Sequence, residues 1–132
     1  MKVTRIATDP DPYVPFRLAQ GYRVGELLFI SGQAAMDESG QLVGIGNFDA
    51  QAEQVFTNLD RVLRAGGSSL ANVIKVTIFL RDMSNLGKIV DLRERYFTAP
   101  YPADTIVEVS SLFSPDALLE IEAIAVSDAA RE

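Results

Sequence analysis

The segment that most constrains the fold is residues 119–125, Leu-Glu-Ile-Glu-Ala-Ile-Ala. Successive side chains of a β-strand point to opposite faces, so this alternation predicts a strand with one apolar face. That face carries Leu119, Ile121, Ala123 and Ala125. Glu120 and Glu122 then share the other face. Two carboxylates on one strand face are typical either of a cleft wall that performs proton chemistry or of a solvated sheet surface. The pattern alone leaves both interpretations open.

Two other segments have the 3.6-residue period of an amphipathic helix. The first ends at Gly66-Gly67, and Asp49 is its expected N-cap. The second follows Ser84, its expected N-cap, and stops before Pro100. Because both helices have one apolar face and alternate with strands, a helical bundle is excluded. The sequence predicts an α+β fold in which both helices pack on one side of a single sheet.

The remaining strands are indicated by β-branched runs and turn residues. Residues 22–31 predict a hairpin, and residues 73–80 predict a strand whose apolar face begins at Ile74. Another strand is expected to start near Asp104, and residues 1–15 are expected to form an extended lead-in. No linker or repeat interrupts residues 1–132, so we expect one domain. The sheet face without helices then requires a cover, which favours an oligomer.

Composition excludes several classes of site. The chain contains no cysteine and no histidine, so disulfides, thiolate metal sites and cysteine nucleophiles are excluded. Any general acid or base must be Asp, Glu, Tyr, Lys or water, and we expect neither a metal nor a cofactor. A net charge of −6 argues against nucleic acid and anionic membrane surfaces as partners. The sequence shows no signal peptide and no apolar run of membrane-spanning length, so a cytoplasmic protein is expected.

Three blocks of the sequence resemble a known family. They are residues 23–33, R-V-G-E-L-L-F-I-S-G-Q; residues 73–83, V-I-K-V-T-I-F-L-R-D-M; and residues 102–125, which begin P-A-D-T-I-V-E-V and end L-E-I-E-A-I-A. Together they resemble the Rid family, which is YjgF-type and also labelled L-PSP endoribonuclease. The resemblance extends over residues 13–127. It implies a chorismate mutase-like fold, with one mixed β-sheet and two helices on one face, that assembles as a homotrimer with clefts between neighbouring subunits.

The resemblance also implies a small-molecule site in each cleft. In the family, an arginine binds the carboxylate of an enamine or imine acid, and a glutamate positions the water that attacks the C=N carbon. Backbone near a Ser-Gly-Gln turn and a tyrosine shape the pocket. Ser31 and Gly32 match the turn, and Glu120 matches the glutamate and is the expected catalytic base. For Gly32, close approach of a ligand and a simple chain turn are both open. Glu122 is expected to be structural.

Several positions depart from the family pattern. Asp104 stands where the family has its arginine, and Ile106 stands where some relatives have cysteine. Phe16 stands where the family has its tyrosine, in a segment about two residues longer than usual. Tyr13 or Tyr22 could supply the missing phenol, although ordinary packing is expected for each.

An aspartate at position 104 would repel the carboxylate that an arginine binds. We expect Asp104 either to make a turn hydrogen bond or to contact an amine or polar head group of a different ligand, and to raise the pKa of a nearby Glu120. Arg17 is the first candidate for a replacement anion anchor. The other candidates, for which a surface role is expected, are Arg81, Arg93 and Arg95.

The resemblance therefore implies a Rid-type hydrolase that deaminates an enamine, an imine or a related small C–N metabolite. Because of Asp104, we do not expect a standard 2-iminobutanoate/2-iminopropanoate deaminase. The alternative is a non-catalytic trimer that binds a small metabolite on the same scaffold, since a fold does not determine a function. The endoribonuclease label is disfavoured by the acidic charge and by the lack of histidine.

Overall fold

A computed structural model describes residues 1–130, which form a six-stranded sheet with two helices. The helices are α1 (Phe48–Ala65) and α2 (Leu86–Tyr96). The strands are β1 (Val3–Ile6), β2 (Gly21–Val24), β3 (Leu27–Gln33), β4 (Val73–Leu80), β5 (Ala103–Glu108) and β6 (Leu119–Val126). Their order across the sheet is β1-β2-β3-β6-β4-β5. Only β4 and β5 are parallel neighbours, so the sheet is mixed, as the resemblance implies.

The strand β6 lies inside the sheet, between β3 and β4. Leu119 and Ile121 are fully buried on one face, whereas Glu120 is half-buried and Glu122 is exposed on the other. Opposite them on β4, Phe79 pairs with Glu120. The predicted alternation is thus confirmed, and the two carboxylates share one face.

Both helices pack on the other face, as predicted. The apolar side of α1 is buried against β3 and β6. Its Phe56 stacks on Tyr96 at the end of α2 with 4.3 Å between ring centroids, and it meets Phe97 edge to face at 5.5 Å. Ile89 of α2 is buried in the same core. Helix packing of this kind leaves the opposite side of the sheet, which we call the open face, without helices.

The N-caps differ from the sequence prediction. Asn47, not Asp49, caps α1, and its side chain accepts a hydrogen bond from the backbone N–H of Ala50 at 3.0 Å. Ser84 is not a cap either, because it lies in a short 3₁₀ turn in which its own N–H donates to Asp82. Both predicted positions are one or two residues from the actual start. A capping residue is defined by backbone conformation, which the sequence pattern does not resolve.

The apolar face of β4 also differs at its first residue. A bulge between Val73 and Lys75 interrupts the pairing with β6. Val73 is therefore buried and Ile74 is exposed, the reverse of the predicted alternation at that end. From Val76 onward the alternation is as predicted.

The hairpin of β2 and β3 is confirmed, with Val24 opposite Leu27 and Gly25 at a φ of +59° in the turn. The lead-in is extended as expected, but it also contains β1, which pairs with β2. On the open face, four apolar side chains are each exposed by 38–45%, namely Tyr22, Leu27, Phe29 and Val107. These side chains form an exposed apolar group on the open face.

One buried amide connects α1 to the loop before it and to the loop before β6. The side-chain nitrogen of Gln51 donates to the carbonyl oxygens of Gly44 and Asp116, at 3.1 and 2.8 Å. Its side-chain oxygen accepts from the backbone N–H of Leu118 at 2.8 Å. The bonds to Asp116 and Leu118 hold the chain in place immediately before β6 begins.

Candidate functional site

A cavity of about 350 Å³ lies beside Glu120, where β6 runs next to the end of β3. We call it the Glu120 cavity. Its walls come from the two strands, from the segment before β2 and from the loop before β6. The lining residues are Tyr13, Phe16, Leu18, Ser31, Gly32, Ala34, Met36, Phe113 and Glu120.

Among residues 1–130, Glu120 is the one carboxylate in this lining. Burial raises its pKa above the usual range, and the negative charge of Glu122 raises it further. Within residues 1–130, no side chain or backbone group donates a hydrogen bond to its carboxylate. Within one chain Asp104 does not contribute to this shift of the Glu120 pKa, because it lies on the opposite face of the sheet. A carboxylate of raised pKa is a stronger base, which suits it to accept a proton from water.

Gly32 makes room for the Glu120 side chain. A Cβ atom at position 32 would overlap the Glu120 carboxylate, with Cδ at 3.0 Å and Cγ at 3.2 Å. Gly32 does not have a positive φ, so a left-handed turn is not the reason for a glycine here. The sequence is compatible with a ligand contact or a chain turn at Gly32, and within the chain the close neighbour is instead the Glu120 carboxylate.

Tyr13 places its hydroxyl in the same cavity. The phenolic O–H donates to the carbonyl oxygen of Gly32 at 2.6 Å, and the ring is almost fully buried. Burial raises the pKa of Tyr13 well above its usual value, and the charge of Glu120 adds to this effect. Tyr13 is thus protonated at neutral pH and supplies the phenol that position 16 lacks. Tyr22, the other candidate, is exposed on β2.

Two aromatic side chains form an apolar part of the wall of the Glu120 cavity. Phe16 and Phe113 meet edge to face with ring centroids 6.5 Å apart, and both are about half exposed. Ser31 is a polar residue of the same lining, but its hydroxyl already donates to the carbonyl oxygen of Ala19 at 2.6 Å. The two rings give this part of the cavity an apolar, solvent-accessible surface.

Arg17 is not among the residues that line the Glu120 cavity. It follows the short 3₁₀ turn Val14–Phe16 with a φ of +59°, and its side chain is exposed. The lining of the Glu120 cavity includes no lysine or arginine. Within residues 1–130, the cavity therefore offers no cation to a ligand carboxylate.

A second cavity, of about 500 Å³, lies between α2 and β5. We call it the Asp104 cavity. The residues that line it are Val90, Arg93, Glu94, Tyr101, Pro102, Asp104 and Ile106. Ile106 is half-buried and packs against the core. The two cavities belong to opposite sheet faces, because Asp104 pairs with Val76 on the helix side whereas Glu120 pairs with Phe79 on the open side.

Asp104 forms an ion pair with Arg93 of α2. The Nε–H of Arg93 donates to Oδ2 of Asp104 at 2.9 Å, and the two side chains are 26% and 17% exposed. Asp104 therefore makes this ion pair and not the expected turn hydrogen bond. Arg93 is partly buried in the pair, so the surface role expected for it is wrong. The structure thus brings Phe16, Ser31, Gly32 and Glu120 together, and it separates them from Asp104 and Ile106.

Sequence reasoning did not place Leu18, Ala34, Met36 or Phe113 in the Glu120 cavity. For Tyr13 it favoured packing over supplying the phenol, and the signal for its position is the longer segment before Gly25, which shifts the phenol by a few residues. Phe113 has no signal in the sequence, because a single aromatic residue in a polar loop is compatible with any surface position. Only the folded loop shows that its ring meets Phe16.

No three side chains of Asp or Glu come together within residues 1–130 in a group that could hold a metal ion. Neither α1 nor α2, nor any shorter helix in that range, is long and apolar enough to cross a membrane.

Comparisons with known proteins extend over nearly the whole chain. The family described as Endoribonuclease L-PSP matches residues 8–127. A RutC family protein of Pyrococcus horikoshii is 41% identical over 90% of this chain and 92% of its own length. A 2-iminobutanoate/2-iminopropanoate deaminase of Bos taurus is 36% identical over 95% of this chain and 89% of its own. The crystal structure of RidA from the Antarctic bacterium Psychrobacter sp. has a TM-score of 0.85 and 34% identity, covering 93% of this chain and 98% of that one.

Proposed function

The chain belongs to the endoribonuclease L-PSP family, also called the Rid family, and we propose that it is a hydrolase that deaminates an enamine or imine lacking a free carboxylate. The observation that carries this proposal is Glu120, a half-buried carboxylate of raised pKa in a cavity without cations. Some relatives of this chain are named 2-iminobutanoate/2-iminopropanoate deaminase, which supports C–N hydrolysis as the reaction class.

In the proposed reaction, Glu120 accepts a proton from a water molecule as the water oxygen bonds to the C=N carbon. Glu120 then gives this proton to the imine nitrogen as the C=N bond becomes single, which yields a carbinolamine and restores the carboxylate. Glu120 next takes the proton of the carbinolamine hydroxyl and passes it to the amine nitrogen, the C–N bond breaks, and ammonia and a carbonyl compound leave. The hydroxyl of Tyr13, held by the carbonyl of Gly32, can accept a hydrogen bond from the attacking water and orient it.

The head group of the substrate is the point at which this protein differs from a standard deaminase. A substrate carboxylate needs a cation, ideally a bidentate arginine. Arg93 is the arginine nearest to position 104, and Asp104 already neutralises it. We therefore propose that imines with an α-carboxylate, including 2-iminobutanoate, are poor substrates.

We further propose that the protein acts as a homotrimer with its sites between subunits. The two cavities lie on opposite faces of one sheet, so one small ligand cannot reach both within a single chain. A neighbouring subunit that covers the open face would bury the exposed Tyr22, Phe29 and Val107 and bring another chain to the Glu120 cavity. Light scattering at micromolar concentration should give about three chain masses, and a clean monomer would contradict the trimer.

The decisive experiment measures ammonia release from freshly generated imines. A flavin amine oxidase supplies an imine without a carboxylate, and an amino acid oxidase supplies 2-iminobutanoate. The native protein should accelerate hydrolysis of the first more than of the second. Glu120→Gln should lower turnover by about 10² or more, because general base catalysis contributes that much. Glu122→Gln is the matched control, and equal, small effects of both changes would remove Glu120 from the mechanism.

A non-catalytic metabolite-binding trimer is the second candidate. The observation that favours it is the Arg93–Asp104 pair, since loss of an anion anchor is what a relative that only binds would show. In that case a thermal-shift screen with small amines, keto acids and imino acids should find ligands, while the native protein and Glu120→Gln release ammonia at the same rate from every imine tested.

A further inference from the structure

We propose that Arg93 and Asp104 form a recognition site for a neutral head group that carries an N–H donor beside a carbonyl oxygen, such as a carboxamide. This inference rests on the proposed function in one respect, which is that the carboxamide and the C=N bond belong to the same ligand. Recognition itself is a property of the Asp104 cavity.

The ion pair leaves hydrogen-bonding groups of both kinds unused. Arg93 donates to Asp104 through Nε alone, and within residues 1–130 no acceptor binds its two Nη groups. Oδ2 of Asp104 accepts that bond, whereas Oδ1 is buried and has no hydrogen-bond partner among the described residues. A purely structural pair would be expected to meet in the fork geometry, with two parallel bonds, and to satisfy both oxygens.

The unpartnered oxygen makes the site receptive to a donor. A buried acceptor without a partner is unfavourable, and a charged one more so. Because Asp104 lines the cavity, a small rotation of its carboxylate presents Oδ1 to a ligand there. A ligand N–H would then bind Oδ1 while the ligand carbonyl oxygen accepts from a free Nη group of Arg93. The two contacts match the two ends of a carboxamide.

The charges of the cavity select against a free carboxylate in the same position. Arg93 contributes one positive charge, and Asp104 and Glu94 contribute one negative charge each, so the ionised lining is net negative. The half-buried Ile106, which packs against the core, is an apolar part of the same wall. A neutral group with a donor and an acceptor meets no repulsion, whereas a carboxylate has no donor to offer Asp104.

The test compares 2-oxobutanamide with 2-oxobutanoate, which differ only in the head group. Ligand-observed NMR titrations of the full-length protein give both dissociation constants. We expect the native protein to bind the amide about tenfold more tightly, because a site built to receive a donor rejects an analogue that lacks it. Asp104→Asn should reverse this preference, since Arg93 is then no longer neutralised. Arg93→Gln should weaken amide binding by about fivefold or more.

The control is Asp60→Asn, which breaks the exposed Asp60–Arg64 pair on α1. It should leave the ratio of the two constants unchanged. If Asp104→Asn does not fold, Glu94→Gln supplies the same information, because it removes one negative charge from the exposed rim and should favour 2-oxobutanoate. Equal affinity of the native protein for both compounds, or a ratio that these cavity variants do not change, would overturn the proposal.

Neither probe contains a C=N bond, so this result is independent of catalysis. If Glu120→Gln leaves ammonia release unchanged while the native protein prefers the amide, the hydrolase proposal fails and head-group recognition stands. If Glu120→Gln abolishes hydrolysis but the native protein shows no preference for the amide, only the carboxamide inference fails.

Discussion

The Glu120 cavity and the Asp104 cavity each contain a partly buried carboxylate, but only the second has a cation bonded to it. Arg93 holds Asp104, whereas Glu120 has no donor within residues 1–130 and faces the additional negative charge of Glu122. The same functional group is therefore suited to two tasks. An unpaired carboxylate of raised pKa can take up a proton, and a paired one can orient a guanidinium and help to recognise the head group of a ligand.

Filling the space around Glu120 should have the largest effect on imine hydrolysis. Gly32→Ala places a Cβ against the carboxylate, which must then move. Because misplacing a catalytic group by about 1 Å can cost about 10²-fold in rate, we expect a loss of that order in imine hydrolysis. Gly87→Ala on α2, whose Cβ would meet open space, is the matched control and should retain activity. A fully active Gly32→Ala protein would show that the position of Glu120 does not matter.

Reversing the charge at Asp104 tests the paired carboxylate. Asp104→Arg places two guanidinium groups together and removes the partner of Arg93, so we expect the free energy of unfolding to fall by about 1–3 kcal/mol. Urea denaturation at one protein concentration measures it. Asp60→Arg, which breaks an exposed pair, should change it by less than about 1 kcal/mol. Equal losses would mean that the Arg93–Asp104 pair behaves as an ordinary surface pair.

The same Asp104→Arg protein should hydrolyse or bind 2-iminobutanoate better than the native protein does, because an added arginine can clamp its carboxylate. Hydrolysis is followed by ammonia release. If the native protein already works well on 2-iminobutanoate and Asp104→Arg slows it, then Asp104 does not exclude carboxylates.

Removing the hydroxyl of Tyr13 should have a smaller effect. Tyr13→Phe deletes one buried hydrogen bond to Gly32 and should lower the free energy of unfolding by about 1 kcal/mol. Turnover should fall as well, because the attacking water loses a contact. Tyr22→Phe alters an exposed phenol and is the control. A loss of stability without a loss of turnover would limit Tyr13 to packing.

The smallest effect concerns pH. Because the folded pKa of Glu120 is raised above its unfolded value near 4.5, the unfolded chain releases this proton first as pH rises. Glu120 thus reduces stability progressively from about pH 4.5 until the pH passes its folded pKa. Glu120→Gln lacks this loss, so its stability relative to the native protein should increase over that range and then level off. A difference that is constant with pH would contradict the raised pKa.

The sequence predicted the Glu120 side of this comparison and not the Asp104 side. Alternation within residues 119–125 determines the direction of Glu120 from neighbours one and two residues away, so a local rule suffices. The partner of Asp104 is Arg93, and their contact depends on how α2 packs against β5. Sequence periodicity gives the apolar face of a helix but not its position along a strand, so this pair could not be predicted.

The same distinction explains the other differences. Tyr13 reaches Gly32 from a segment with no regular period, so its contact is set by the path of a loop. The bulge in β4 puts Val73, and not Ile74, on the apolar side of the strand. A run of β-branched residues gives no signal for such a bulge. Elements with a strong period were predicted reliably, and contacts between elements were not.

The buried amide of Gln51 affects which face of the sheet Glu120 and Glu122 occupy. It holds Leu118 immediately before β6, so it determines which residue of the chain enters the sheet first. A slip of one residue would turn Glu120 and Glu122 into the helix-covered interior and expose Ile121. The outward position of the proposed base thus depends on Gln51, a side chain of α1 on the opposite side of the sheet that does not line the Glu120 cavity.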